Sequence, residues 1–198
     1  MEEIINNQLI FDKRGVQEYF GSGTTVKRIL QNTSEATLIY YKNDKDLDKE
    51  IQKYRRGKIM QFSNEINLII SHDDYSDGEM SQSEIFMKEA YEKEQMDYVM
   101  ESLMQIYLEN LLNVHVLEGI LVMISSVPYE AVQPKGQTMA IGLLSNKELV
   151  IRDRAIQCFE RWNSKKGLGV LKSIVCEPKW LQKYVDKIIM YIERDGVE

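Results

Sequence analysis

An all-α fold is what this 198-residue sequence predicts, and three observations predict it. There are only 3 prolines and 11 glycines, too little turn punctuation for an all-β sandwich or barrel of this length. Apolar residues recur with a helical period almost continuously from Lys58 to Ile192. One apolar face then returns every 32 residues in the second half of the chain. The expected architecture is a set of helical hairpins stacked side by side, and a compact irregular helical bundle is the alternative. Residues 1–198 read as a single helical domain, with 1–57 as its less regular N-terminal part.

Val16–Phe20 and Val26–Leu30 look like short helical pieces around the turn Gly21-Ser22-Gly23. Ala36–Tyr41 is either a strand or a buried helical turn, because ATLIYY is rich in β-branched and aromatic residues. Asp44–Arg56 places Leu47, Ile51 and Tyr54 on one stripe of a largely solvated helix. From Lys58 onward, Ile59, Phe62, Ile66, Ile69 and Ile70 form an apolar face. His72–Glu79 (HDDYSDGE) interrupts it with acids and a glycine. Ser81-Gln82-Ser83-Glu84 fits a capping box, in which the serine hydroxyl and the glutamate satisfy each other's backbone N–H. Ile85, Phe86, Ala90 and Tyr91 carry the helix behind it.

Tyr98–Leu112 is the next helix, with Met100, Leu103, Met104, Tyr107 and Leu111 on one side and Asn113 as its stop. Val114–Val127 follows and ends at Pro128. Gly136–Leu144 is a short apolar helix. Ser145-Asn146-Lys147-Glu148 reads as a second capping box opening Leu149–Trp162. Asn163–Gly167 is a turn, and Leu168–Val175 is short and apolar. Pro178 stands at a first-turn position, where its missing N–H costs nothing. Trp180, Leu181, Tyr184, Ile188 and Ile192 line the final helix.

At a spacing of 32, Leu117, Leu149 and Leu181 align, as do Ile124, Ile156 and Ile188, and Val127, Phe159 and Tyr191. The repeating unit is a short helix, a turn and a longer helix, which buries its apolar face only by stacking on a neighbour. The segment SNKELVIRDRAIQCFERW resembles the second helix of a HEAT-like repeat. There a cap and a charged residue precede an apolar pair and an Arg-x-x-Ala step, here Arg152 to Ala155, with Ile156 and Phe159 after it. The resemblance covers residues 136–193 fairly well and 98–127 loosely, with three repeats at most, and it leaves out 1–57. The first-helix proline of many such repeats is missing. The resemblance implies a curved α-solenoid over residues 98–193 that serves as a binding surface.

The net charge is −6, from 25 bases and 31 acids, which disfavours nucleic acid as a partner. The N-terminus MEEIINNQLIFDKRG lacks a signal-peptide pattern. Val114–Val127 is too short for a membrane span and is interrupted by His115 and Glu118. Cys158 and Cys176 are too few and too far apart for a disulfide framework. A cytoplasmic, reducing setting is the expectation.

Asp73-Asp74-Tyr75-Ser76-Asp77-Gly78 partly matches a calcium loop, with Glu84 at the position of the last carboxylate. Tyr75 breaks the match where a carboxylate or amide is needed, so an acidic interhelical loop is the expected reading. His115 and Glu118 share a helix face at a spacing used in di-metal bundles, without the second pair such a site needs. Gly21-Ser22-Gly23 lacks the lysine of a phosphate loop. Arg55-Arg56-Gly57-Lys58 reads as a basic helix end facing its own dipole. No catalytic residue, cofactor or metal is expected.

The acids concentrate between Asp73 and Glu94, where only Lys88 and Lys93 oppose them. The candidate partner-binding residues are Asp73, Asp74, Tyr75, Asp77, Glu79, Glu84, Glu89, Tyr91 and Glu92. The small, acidic, helical profile is similar to that of bacterial immunity proteins that neutralise toxic nucleases. The expected function is therefore to bind a basic toxin domain and occlude its active site, as a monomer or weak dimer, with no nucleic-acid or membrane partner. The alternative is a helical-repeat scaffold or regulatory adaptor. A HEAT-like DNA glycosylase would need a basic concave surface, for which the C-terminal third offers such residues as Arg152, Arg154, Arg161 and Lys187.

Overall fold

The computed structural model describes residues 10–11, 16–21, 24–29, 44–75 and 80–197. The chain divides into two compact units, residues 1–60 and 61–198. The first unit contains a three-stranded antiparallel sheet in the order β1 (Ile10–Phe11), β2 (Val16–Gly21) and β3 (Thr24–Ile29). Val16 pairs with Ile29 and Gly21 with Thr24, so the expected helical pieces at Val16–Phe20 and Val26–Leu30 are corrected to strands through Ile29. The physical reason is that VQEYFG and TTVKRI are β-branched and aromatic segments, and only two residues, Ser22-Gly23, separate them. Ala36–Tyr41 lies outside the described residues.

Helix α1 (Asp44–His72) runs unbroken across the division between the units. Gly57 therefore sits inside a helix, and a Cβ there would meet nothing within 4 Å. Arg55, Arg56 and Lys58 are consequently mid-helix residues, not the expected helix end.

The second unit adds α2 (Gln82–Glu92), α3 (Met96–Glu109), α4 (Val114–Ser125), α5 (Tyr129–Val132), α6 (Lys135–Leu143), α7 (Leu149–Trp162), α8 (Leu168–Ser173) and α9 (Lys179–Asp195). A 3₁₀ turn, Lys165–Gly167, joins α7 to α8. The chain is predominantly helical, as its periodicity predicts. α2, α4, α7 and α9 lie side by side in one row, each packed on the next. α3 and α6 pack on each other and on that row, and α8 packs on α9. No described helix is long and apolar enough to cross a membrane.

One continuous core runs through this unit, from Phe62 of α1 to Ile192 of α9. Its centre is α4, where Leu117 and every residue from Gly119 to Ser125 are buried. α7 locks onto α4 through two buried bonds besides apolar packing. Trp162 Nε1 donates to the Ile124 carbonyl at 3.0 Å, and the Cys158 thiol donates to Leu121 at 3.4 Å. Trp162 also packs edge-on against Phe159 and Tyr129.

The aligned isoleucines Ile124, Ile156 and Ile188 are all buried, the last only 1% exposed. The other two series hold in part. Leu149 is exposed because α7 starts there, and Tyr191 is exposed beneath Lys187 and Arg194, which lie over its ring. The second capping box does not form: the N-cap of α7 is Glu148, whose N–H donates to Asn146 Oδ1 at 2.9 Å. α3 stops at Glu109, and Asn113 caps α4 by accepting from Val116 N–H, so Leu111 lies in the turn and is exposed. At the end of α7, Asn163 takes a left-handed conformation with φ of 45°, which a short polar side chain tolerates and which closes the helix.

Ile156→Ala should destabilise the protein by about 2–5 kcal/mol in chemical denaturation, the usual cost of emptying a close-packed core site. A loss below about 0.5 kcal/mol, the range of uninvolved surface positions, would contradict the packing of α7 on α4.

Candidate protein-binding surface

The segment entering α2 is built from residues that the sequence offers as an acidic surface. The Asp73 carboxylate accepts from Gln82 N–H at 3.1 Å and from Ser83 N–H at 2.7 Å. It therefore caps the N-terminus of α2, where a negative charge also meets the helix dipole favourably. The Ser81 box forms as expected: Ser81 Oγ accepts from Glu84 N–H, and Glu84 Oε2 accepts from Ser81 N–H, both at 3.2 Å. The other oxygen of Glu84 takes Arg161 of α7 at 2.6 Å.

Tyr75 is buried rather than displayed. Its ring stands 5.3 Å from that of His115, and its hydroxyl shares a 3.3 Å hydrogen bond with Ser83 Oγ. The hydroxyl lies directly over Gly119 of α4, where any Cβ would overlap it. Burial pushes the Tyr75 phenol up to about 12, against the opposing pull of Ser83.

Arg154 ties three elements together. Its Nε pairs with Glu118 of α4 at 3.1 Å, its Nη1 donates to Gln157 of its own helix, and its Nη2 donates to the Tyr75 carbonyl at 2.6 Å. Both partners of the Glu118 pair are largely buried, with side chains 18% and 16% exposed. Arg152 works similarly at the other end of α7. It donates to the carbonyls of Asn146, Lys147 and Glu177, joining the α6–α7 turn to the α8–α9 turn. These two arginines are thus engaged within the protein.

The nine expected partner-binding residues fall into three sets. Asp73, Tyr75 and Glu84 are built into the α2 anchorage described above. Asp77 and Glu79 lie outside the described residues. Asp74, Glu89, Tyr91 and Glu92 are exposed, the last three on α2, with Glu89 paired to Lys93 at 2.8 Å. Among the described residues no cluster of His, Cys, Asp or Glu is placed to hold a metal. Asp73 and Glu84 hold backbone N–H groups instead, while His115 Nε2 donates to the Ile70 carbonyl at 2.6 Å and Glu118 holds Arg154. Cys158 and Cys176 are free buried thiols, and burial pushes Cys158 up to about 12.

Sequence reasoning missed a second surface. Leu111 and Leu112 in the α3–α4 turn, Leu149 and Val150 opening α7, and Val175 and Trp180 around the α8–α9 turn are all exposed. Leu111, Leu149 and Trp180 were expected on helix faces directed to the core. The signal available was positional: each stands at a helix end, next to Asn113, Glu148 or Pro178. Comparison with protein-family models, with curated proteins and with solved structures finds no match for this chain.

Arg154→Ala should cost about 2–3 kcal/mol in chemical denaturation, because Glu118 and the Tyr75 carbonyl lose their donor. A cost under about 0.5 kcal/mol, typical of surface pairs, would contradict the clasp. Alkaline stability gives a second check. A raised phenol pKa favours the folded state fully below pH 10.0, and that contribution is lost as pH rises through about 12. Tyr75→Phe should therefore lose less stability than the parent across this window, while an identical loss would contradict the burial of Tyr75.

Proposed function

We propose that this chain is a non-catalytic protein-binding protein whose helices form a short HEAT-like solenoid. The side-by-side row α2–α4–α7–α9, with α3 and α6 behind it, supports stacking of short-helix, long-helix units. The burial of Ile124, Ile156 and Ile188 at a spacing of 32 supports the repeat itself. In this reading the protein is cytoplasmic and acts as an immunity-type neutraliser, covering the active site of a basic, nuclease-type bacterial toxin.

One observation carries the partner-binding part. α2 is fixed at its N-terminus by Asp73, Ser81 and Glu84, and it presents Glu89, Tyr91 and Glu92 to solvent. A rigid helix with a tyrosine among carboxylates is suited to a basic partner. The ring supplies an anchor with little conformational entropy to lose, and the carboxylates steer the encounter. The scaffold or adaptor reading rests on a different observation, the exposed apolar residues at the helix ends, and needs no basic partner.

The test is coexpression with the product of the gene directly upstream, which this reading expects to be toxic by itself. Relief of that toxicity and a stable complex with a basic catalytic domain support neutralisation, and an upstream product without toxicity contradicts it. Toxicity that persists at full expression of this chain contradicts it. Within such a complex, Glu89→Lys with Glu92→Lys should slow association about tenfold or more, change dissociation less, and leave folding nearly intact. Raising salt should slow the parent pair likewise, as the Debye length falls from about 10 Å at 0.1 M to about 3 Å at 1 M. An association rate untouched by both changes would contradict a steering role for α2.

A further inference from the structure

The segment that follows α9 folds back onto the turn that follows α7. Val197 N–H donates to the Asn163 carbonyl, and the Val197 carbonyl accepts from Lys165 N–H, both at 2.9 Å. These two bonds make a one-residue parallel bridge between Val197 and Ser164. Asn163 Nδ2 adds a third bond, to the Asp195 carbonyl at 3.2 Å. Gly196 makes the bend, and its N–H still donates to the Ile192 carbonyl at 2.9 Å. A Cβ at Gly196 would overlap that same carbonyl, so a glycine suits the bend.

The turn under this strap is tightly packed. Ser164 is 2% exposed, and its hydroxyl caps the 3₁₀ turn by accepting from Lys166 N–H. Gly167 lies against the Phe159 ring, and Lys166 stands over the Tyr129 ring at 5.8 Å. Both rings pack edge-on against Trp162. The strap itself buries little, since the Val197 side chain is 55% exposed. A contact made of a few neutral hydrogen bonds opens at a lower free energy than a packed core.

Two other polar links join α9 and its approach to α7, and both have a charged member. Arg152 donates to the Glu177 carbonyl, and the Tyr184 hydroxyl donates to the Glu160 carboxylate. Bonds with an ionised partner are the stronger kind, which leaves the strap as the link that yields first. We infer that Gly196–Val197 is a releasable latch at the α9 edge of the row. It opens without the rest of the unit, and its opening loosens the Asn163–Gly167 turn and the packing around Trp162. α9 stays seated on α7 through its buried residues Leu181, Val185 and Ile188. The latch uses none of the α2 residues assigned to partner binding.

Native-state hydrogen exchange of the full chain tests it, with Trp162 fluorescence as a second readout. The Lys165 and Val197 amides of the parent should share one protection factor, lower than that of the α7 amides. Val197→Pro removes the donor to Asn163 and should lower protection at Lys165 about tenfold. Gly196→Ala should act in the same direction, and Val197→Ala, which keeps both backbone bonds, should match the parent. With Trp180→Phe as background, Trp162 should become more accessible to acrylamide in Val197→Pro and not in Val197→Ala. Protection at Lys165 untouched by Val197→Pro, equal loss in Val197→Ala, or loss that spreads equally to the α4 amides would overturn the inference. So would a Val197→Pro chain that does not fold, since the latch would then be part of the global structure.

Discussion

The second unit depends on one constraint, the burial of α4 from Leu117 to Ser125 with Glu118 as its one polar interruption. A helix that is apolar all round has no face to give to water and is stable only when neighbours surround it. From Leu117 to Ser125 only Glu118 among the α4 residues escapes full burial, and Arg154 takes up its charge. Ser125, which is buried, returns its hydroxyl to the Val122 carbonyl and so adds no unsatisfied group to the core. α2, α3, α6 and α7 all pack on α4, and α7 does so with the most extensive interface. Gly119 adds a local condition. Only a residue without a Cβ lets Tyr75 cross α4, and this brings the start of α2 into register with the core.

This arrangement explains how an acidic stretch becomes structural. A carboxylate beside a helix N-terminus gains both hydrogen bonds and the field of the helix dipole. Asp73 occupies that position for α2, and Glu84 closes the box and reaches across to Arg161. Of the exposed acids, Glu89 and Glu92 lie further along the same helix. Their geometry is inherited from the caps at its start, so the anchored and the displayed carboxylates have separate physical roles. Exposed pairs such as Glu89 with Lys93 contribute little to stability and remain available to shape the surface field.

Much of the helical unit is legible in the sequence because its signals are local. The 3.6-residue faces, the Ser81 box and the Asn163 turn each depend on residues within a few positions of one another. The strands β2 and β3 were not legible as strands, since short apolar runs suit either a helix or a strand. Their connection, two residues ending in glycine, was the stronger clue and indicates a hairpin. The surface was less legible than the fold. Counting acids does not distinguish Asp73, which caps a helix nine residues later, from Glu92, which faces water. Leu111 falls on the α3 face by periodicity, but Asn113 caps the next helix, which places Leu111 in a turn.

Native-state hydrogen exchange tests the central position of α4 most directly. Amides from Leu117 to Ser125, and those of α7 that face them, should exchange only through global unfolding. Their exchange free energies should then equal the unfolding free energy measured with denaturant. Amides at the ends of α9 and in the α3–α4 turn should exchange through smaller local openings. If α4 instead opens at lower free energy than α3 or α9, it is not the element on which the packing of the others depends.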